Sequence, residues 1–133
     1  MADTFELKII TPDRVFYDNQ VEMVEFNTTE GEIGIYKNHV PTTVIVKPGI
    51  LTITEGEEVK KASLHSGFAE ILQDKVTILA EVIEWPGEID LARAESALQR
   101  AKERLEKKEE NTDLDRAGIA LQRAIIRIQA SKL

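Results

Sequence analysis

Apolar and polar residues alternate one by one over the first two thirds of the chain. Phe5, Leu7 and Ile9 face one way and Glu6 and Lys8 the other, the pattern of a half-buried strand. The same alternation, rich in Val, Ile and Thr, predicts further strands over 15–17, 21–27, 42–46, 50–54, 59–64, 69–72 and 76–82. Turn-forming clusters separate them: Thr11-Pro12-Asp13, Glu30-Gly31-Glu32, Lys47-Pro48-Gly49, Glu55-Gly56-Glu57 and Gln73-Asp74-Lys75. Many short strands with no helical stretch between them predict an antiparallel β-sandwich, or flattened barrel.

The period lengthens after Trp85-Pro86-Gly87. Leu91, Ala94, Leu98, Ala101 and Leu105 step by three and four, and Leu114, Ala117, Leu121, Ala124 and Ile128 repeat the steps. A polar segment, 107–113, lies between these runs. Thr112 followed by Asp115 resembles a capping box that starts the second helix. The expected fold class is therefore mixed β and α: an N-terminal antiparallel β-sandwich over 1–87, then a two-helix antiparallel hairpin over 88–133. Each seam alternates Leu or Ile with Ala. Alanine buries little area, at about 0.8 kcal/mol per methylene forgone. Such a hairpin is expected to be weakly held and able to open; the alternative is a stable hairpin that serves as a prop.

Charge sharpens this division. The 133 residues carry a net charge of −7, which disfavours nucleic acid as a partner. Residues 1–87 hold 7 basic and 15 acidic side chains, net −8, while 88–133 hold 10 and 9, net +1. No apolar run approaches the roughly 20 residues of a spanning helix, so no direct membrane insertion is expected. The start, Met1-Ala2-Asp3-Thr4-Phe5-Glu6, predicts no secretory signal. The absence of cysteine rules out disulfides and thiol chemistry. His39 and His65, the two histidines, lack a metal-ligand pattern, and loop hydrogen bonding is their expected role. There is no nucleophile elbow and no Gly-x-x-x-x-Gly-Lys phosphate loop. Catalysis is not expected, nor any catalytic cofactor.

The tail instead offers arginines. Arg93 and Arg100 lie seven apart on the first predicted helix, Arg123 and Arg127 four apart on the second. If the chain reverses near Glu110, Arg93 comes level with Arg127 and Arg100 with Arg123. Four guanidinium groups in one place suit a polyphosphate, whose oxygens they grip in bidentate geometry. Asp90 and Glu84 are the acids placed to share such a site and accept hydrogen bonds from a ribose or base. The alternative is that these arginines point to water and pair locally with Glu103, Glu95 or Asp115, which contributes roughly 0–1 kcal/mol per pair.

The motifs carry a resemblance. Glu88-Ile89-Asp90-Leu91-Ala92-Arg93-Ala94 is similar to the Ile/Leu-Asp-x-x-Arg-Ala nucleotide motif of the epsilon subunits of bacterial F-type ATP synthases. Thr11-Pro12, Glu30-Gly31-Glu32-Ile33-Gly34-Ile35, Asn38-His39-Val40-Pro41, Lys47-Pro48-Gly49, Ser66-Gly67-Phe68-Ala69-Glu70 and Lys75-Val76-Thr77-Ile78-Leu79-Ala80 resemble that family's other stretches, in its order. The resemblance spans essentially the whole chain and implies a sandwich that attaches to the gamma subunit and the c-subunit ring. It implies a hairpin that lies folded or extends toward the catalytic alpha and beta subunits, where it blocks ATP hydrolysis. The subunit would be non-catalytic and peripheral on the cytoplasmic face of a bacterial plasma membrane, in a proton-translocating complex.

It also implies residue roles. ATP, as a regulatory ligand, would be held by Glu84, Ile89, Asp90, Arg93, Arg100, Arg123 and Arg127. Glu32 would meet the c ring, and Arg116, Arg123 and Arg127 an acidic loop on beta. The sequence departs from the family at His65-Ser66-Gly67, where many relatives have Ser-Gly-Gly, and at Trp85-Pro86-Gly87, a pair of helix breakers expected to act as a hinge. Gly118 inside the second helix costs about 0.5–1 kcal/mol relative to alanine. Two rivals remain: an adaptor that binds a partner but no nucleotide, and a small hydrolase using paired carboxylates within 1–87.

Overall fold

The computed structural model describes residues 3–107 and 114–133. The chain divides into two compact units, Met1–Glu84 and Trp85–Leu133.

The first unit is all β. Its strands are β1 (Phe5–Ile10), β2 (Val15–Val21), β3 (Met23–Thr28), β4 (Gly31–Ile35), β5 (Thr42–Val46), β6 (Gly49–Glu55), β7 (Glu58–Ile71) and β8 (Lys75–Glu84). They run in the order β2-β1-β8-β7-β5-β3-β4, and β6 bridges β3 and β7, so the sheet folds over on itself. The alternation places Phe5, Leu7, Ile9, Phe26, Ile35, Leu51, Ile53, Leu64, Ile71 and Ile78 between the layers, each almost wholly out of water. The pairs are antiparallel except one. β1 and β8 run parallel, with Glu6 opposite Lys75 and Ile10 opposite Leu79.

The strands depart from the alternation most at three places: β2, expected to end at 17, runs on to Val21, and the other two are 31–35 and β7. Residues 31–35 form β4, pairing with β3 from Thr28↔Gly31 to Val24↔Ile35, and take in Gly31 and Glu32 of the expected turn Glu30-Gly31-Glu32. The turn sits one step earlier: the Thr28 hydroxyl accepts from the Glu30 amide (3.2 Å) and donates to the Gly31 carbonyl (2.7 Å). Gly31 adopts φ 118°, which a side chain rarely takes. The expected strands 59–64 and 69–72 are one strand, β7. Its first half pairs with β6 and its second with β5, while β8 lines its other edge. The change of partner falls at His65-Ser66-Gly67. Gly67 takes φ 154°, and a Cβ there would collide with the Leu79 carbonyl oxygen, so only glycine lets β7 and β8 approach. His65 is no loop residue; it lies fully buried in the core. His39 does sit in a loop, its Nδ1 at 2.8 Å from the Val40 carbonyl.

The second unit begins with a 3₁₀ turn at Pro86–Glu88, then α1 (Leu91–Lys107) and α2 (Leu114–Ser131). Proline suits the first position of such a turn because it has no amide hydrogen to satisfy. The Glu88 carboxylate accepts from the Trp85 amide (2.9 Å) and closes it. α1 and α2 pack on each other, and α2 reaches back to the 3₁₀ turn that precedes α1, so the helices are antiparallel. The Thr112–Asp115 box falls partly outside the described residues.

Candidate functional site

The seam of the hairpin is alanine. Ala94 and Ala101 on α1 and Ala117, Ala124 and Ala130 on α2 are the buried residues of the two helices. Leu98, Leu105, Leu121 and Ile128 are only half-buried. Both kinds of residue share the face, but the small ones sit at its centre, where the backbones come close.

That arrangement decides where the arginines go. Arg93 and Arg100 directly precede the seam residues Ala94 and Ala101; Arg116 and Arg123 directly precede Ala117 and Ala124. One residue is 100° of helix rotation. In an antiparallel pair, positions one step before the seam on each helix flank the same side of the interface. Arg127, three residues past Ala124, turns 60° to that same side. Arg93, Arg100, Arg116, Arg123 and Arg127 therefore share one flank. With α1 ending at Lys107 and α2 starting at Leu114, Arg93 comes level with Arg127 and Arg100 with Arg123. With a rise of about 1.5 Å per residue, Arg93 and Arg100 of α1 lie about 10 Å apart, and the arginines of α2 climb in steps of about 10 Å and 6 Å.

Their environments differ. Arg93 and Arg100 are exposed, and among the described residues neither is held by an ion pair. Glu103, offered by the sequence as a local partner, accepts instead from Gln99 Nε2 at 3.3 Å. Arg123 and Arg127 are half-buried, and the Arg123 Nε is shielded from solvent. A polyanion landing on this flank would meet two open guanidinium groups and two partly desolvated ones. Desolvation strengthens each charge-assisted bond it makes.

Asp90 has a role that the sequence reading missed. Its Oδ1 accepts from the Arg93 amide at 3.1 Å, and its carbonyl accepts from the Ala94 amide at 3.0 Å. It is the N-cap of α1, satisfying an amide the helix start leaves open. The signal was available: an Asp immediately before the first periodic leucine, Leu91. One carboxylate oxygen is thus engaged and the other remains for a ligand. Ile89 ends the 3₁₀ turn, donating its amide to the Pro86 carbonyl at 3.3 Å, and is half-buried.

Glu84 and Glu32 lie elsewhere, and Arg116 lies at the far end of the flank. Glu84 closes β8 in the first unit, where its carbonyl accepts from the Ser63 hydroxyl at 3.4 Å. Glu32 is exposed on β4. Arg116 is exposed near the start of α2.

A curled sandwich followed by an arginine-flanked pair of helices defines a class of protein. The family model described as "ATP synthase, Delta/Epsilon chain, beta-sandwich domain" matches residues 4–86, and "ATP synthase, Delta/Epsilon chain, long alpha-helix domain" matches 88–132. The chain belongs to the ATP synthase delta/epsilon chain family, the non-catalytic subunits of that complex.

Within the family, it is 46% identical over 107 residues to the ATP synthase epsilon chain of Alkaliphilus metalliredigens, covering 80% of each chain. It is 47% identical over 109 residues to that of Caldanaerobacter subterraneus subsp. tengcongensis, covering 81% of this chain and 79% of the other. Its fold matches a chain in the Euglena gracilis mitochondrial ATP synthase assembly of OSCP, F1 and c-ring. There the TM-score is 0.84 at 23% identity, over 98% of this chain and 82% of that one. A chain of the Tetrahymena thermophila mitochondrial central stalk and c-ring matches with a TM-score of 0.62 at 14% identity, over 98% of each.

Proposed function

We propose that the chain is the rotor subunit that couples the central stalk to the c ring and restrains ATP hydrolysis through its hairpin. On this reading the sandwich binds gamma and, through Glu32, the c ring. The hairpin folds around ATP or extends toward alpha and beta. The subunit works at the cytoplasmic face of a bacterial membrane in a proton-translocating synthase. It would hold to that membrane through its partners; no described helix is long and apolar enough to cross one.

The observation that carries this reading is the common flank of arginines along an alanine seam. ATP is the ligand it suits: guanidinium forks from Arg93, Arg100, Arg123 and Arg127 for the phosphates, with Ile89, Asp90 and Glu84 for the nucleoside. Arg123 and Arg127 also belong to the set, with Arg116, that would meet an acidic loop on beta. The same two side chains cannot serve both anions, so ATP and the catalytic head compete for them. ATP that binds only the folded hairpin stabilises it by RT ln(1 + [L]/Kd), about 2.7 kcal/mol at a hundredfold excess over Kd.

Titrating ATP into the isolated chain, with a fluorophore pair across the two helices, tests this. The expected result is saturable compaction, lost in Arg93→Ala and in Arg123→Ala. Asp90→Ser keeps a good N-cap while removing the carboxylate, so weaker ATP binding by that variant reports the ligand contact and not the helix. Undiminished ATP binding by both arginine variants would overturn the assignment. A calorimetric blank with ATP beside retained binding to gamma would favour the adaptor.

A further inference from the structure

The basic flank of the hairpin runs past the residues that the ATP reading uses. Arg104 lies three residues beyond the seam residue Ala101, and Lys107 lies six beyond it. At 100° per residue both return to the side that holds Arg93 and Arg100. Arg116 holds the same side of α2, directly before Ala117. The antiparallel register that sets Arg100 level with Arg123 also sets Lys107 level with Arg116. The flank is thus a ladder of three cationic rungs, with Arg104 between the second and the third. From Arg93 to Lys107 it is about 21 Å long, at a rise of about 1.5 Å per residue.

Among the described residues, no acid of either helix interrupts it. Glu95 and Glu106 turn toward the opposite flank, and Glu103 and Asp115, each two residues from the seam, face outward. Ala97 and Ala120 stand between rungs and are too short to keep a ligand off. Arg93, Arg100, Arg104 and Lys107 are exposed, and among the described residues none of them forms an ion pair. Arg100 with Arg104 and Arg123 with Arg127 are like charges four apart, which weaken a helix. An anion lying along the ladder relieves both repulsions.

The shape of the ladder selects that anion. Three phosphates span the first two rungs, as the ATP reading requires, and leave the third unused. Neither helix carries an aromatic side chain, so nothing on the flank can stack the bases of a single-stranded nucleic acid. An acidic peptide brings backbone amide hydrogens, for which a ladder without acceptors offers no partner. A bare chain of phosphates brings only what guanidinium forks and a lysine ammonium bind.

We propose that the flank is a groove for linear inorganic polyphosphate, a chain that lies across all three rungs and clamps the two helices together. This goes beyond the ATP reading and shares with it only the first two rungs, so the two ligands exclude each other.

The test titrates the full chain, with a fluorophore pair across the two helices, with tripolyphosphate and with a longer polyphosphate of defined length. Compared per phosphate, the longer chain should bind about tenfold more tightly and compact the hairpin. Arg104→Gln with Lys107→Gln should remove most of that advantage and flatten its salt dependence, because fewer counterions are released. The same double variant should leave the ATP response unchanged. Lys102→Gln, on the opposite flank, should alter neither ligand. Glutamine keeps the helix propensity of the residues it replaces, and circular dichroism establishes that the helices are formed. Equal affinity per phosphate for the two lengths would overturn the groove, and so would a double variant that binds the longer chain as wild type does. A thymidine oligonucleotide of matching charge that binds as tightly would also overturn it, leaving a general anion surface. Polyphosphate binding in a wild-type chain that ignores ATP would support the groove and overturn the ATP reading alone.

Discussion

The two units of this chain are built from opposite materials. The sandwich is filled by Phe, Leu and Ile, wholly buried across two layers; the hairpin is held along a line of five alanines. A buried large aliphatic or aromatic side chain contributes about 1.5–3 kcal/mol, whereas alanine has one methyl group to bury. The sandwich thus buries large side chains completely, whereas the hairpin buries only alanine completely and leaves Leu98, Leu105, Leu121 and Ile128 half-buried. Close alanine packing also brings the flanking arginines of both helices near the same line. On the proposed reading, the same seam would serve both the opening of the hairpin and its grip on an anion.

The contrast can be broken from either side. Leu7→Ala should have the largest effect: Leu7 is fully buried, and removing its branch should cost about 2–5 kcal/mol. Denaturant unfolding followed by the β signal should show it. If the loss is under a kilocalorie per mole, on the order of an exposed site, the sandwich is not what its packing says. Ala101→Leu comes next. A larger side chain at the centre of the seam should force the helices apart and destabilise the hairpin by about 1–3 kcal/mol. Helical circular dichroism should fall while the sandwich transition stays put; an unchanged helical signal would mean the seam is not closely packed. Gly118→Ala is the smallest and has the opposite sign. A Cβ there meets nothing within 4 Å, so about 0.5–1 kcal/mol of helix stability should be gained. ATPase assays of the assembled complex would then show whether a stiffer α2 changes the restraint on hydrolysis.

Much of the fold was legible because both periods are strong. The strand over 42–46 and the inward set Phe5, Leu7 and Ile9 follow directly from alternation. What was not legible depends on tertiary pairing. Glu30-Gly31-Glu32 reads as a turn, yet Gly31 and Glu32 begin a strand because β3 offers residues 31–35 an edge. The parallel pairing of β1 with β8 leaves no local trace, since it joins the two ends of the sandwich segment. Burial of His65 depends on β7 running unbroken through Gly67. In the hairpin, leucine and alanine share one face, and periodicity cannot say which lies at its centre. The arginine flank was legible as spacing, since seven and four are helical intervals. Asp90 is legible too, as the acid just before the first periodic leucine, Leu91, where an N-cap belongs.

The parallel β1–β8 ladder has a consequence during synthesis. β1, ending at Ile10, has one of its two neighbours only when residues 75–79 have left the ribosome. Until then, β1 can pair along one side only and leaves a bare edge open to unwanted strands. The hairpin needs no such wait, because its contacts are close in sequence and such contacts form quickly. The hairpin should therefore complete soon after its own residues are made, whereas β1 must wait for the far end of the sandwich segment.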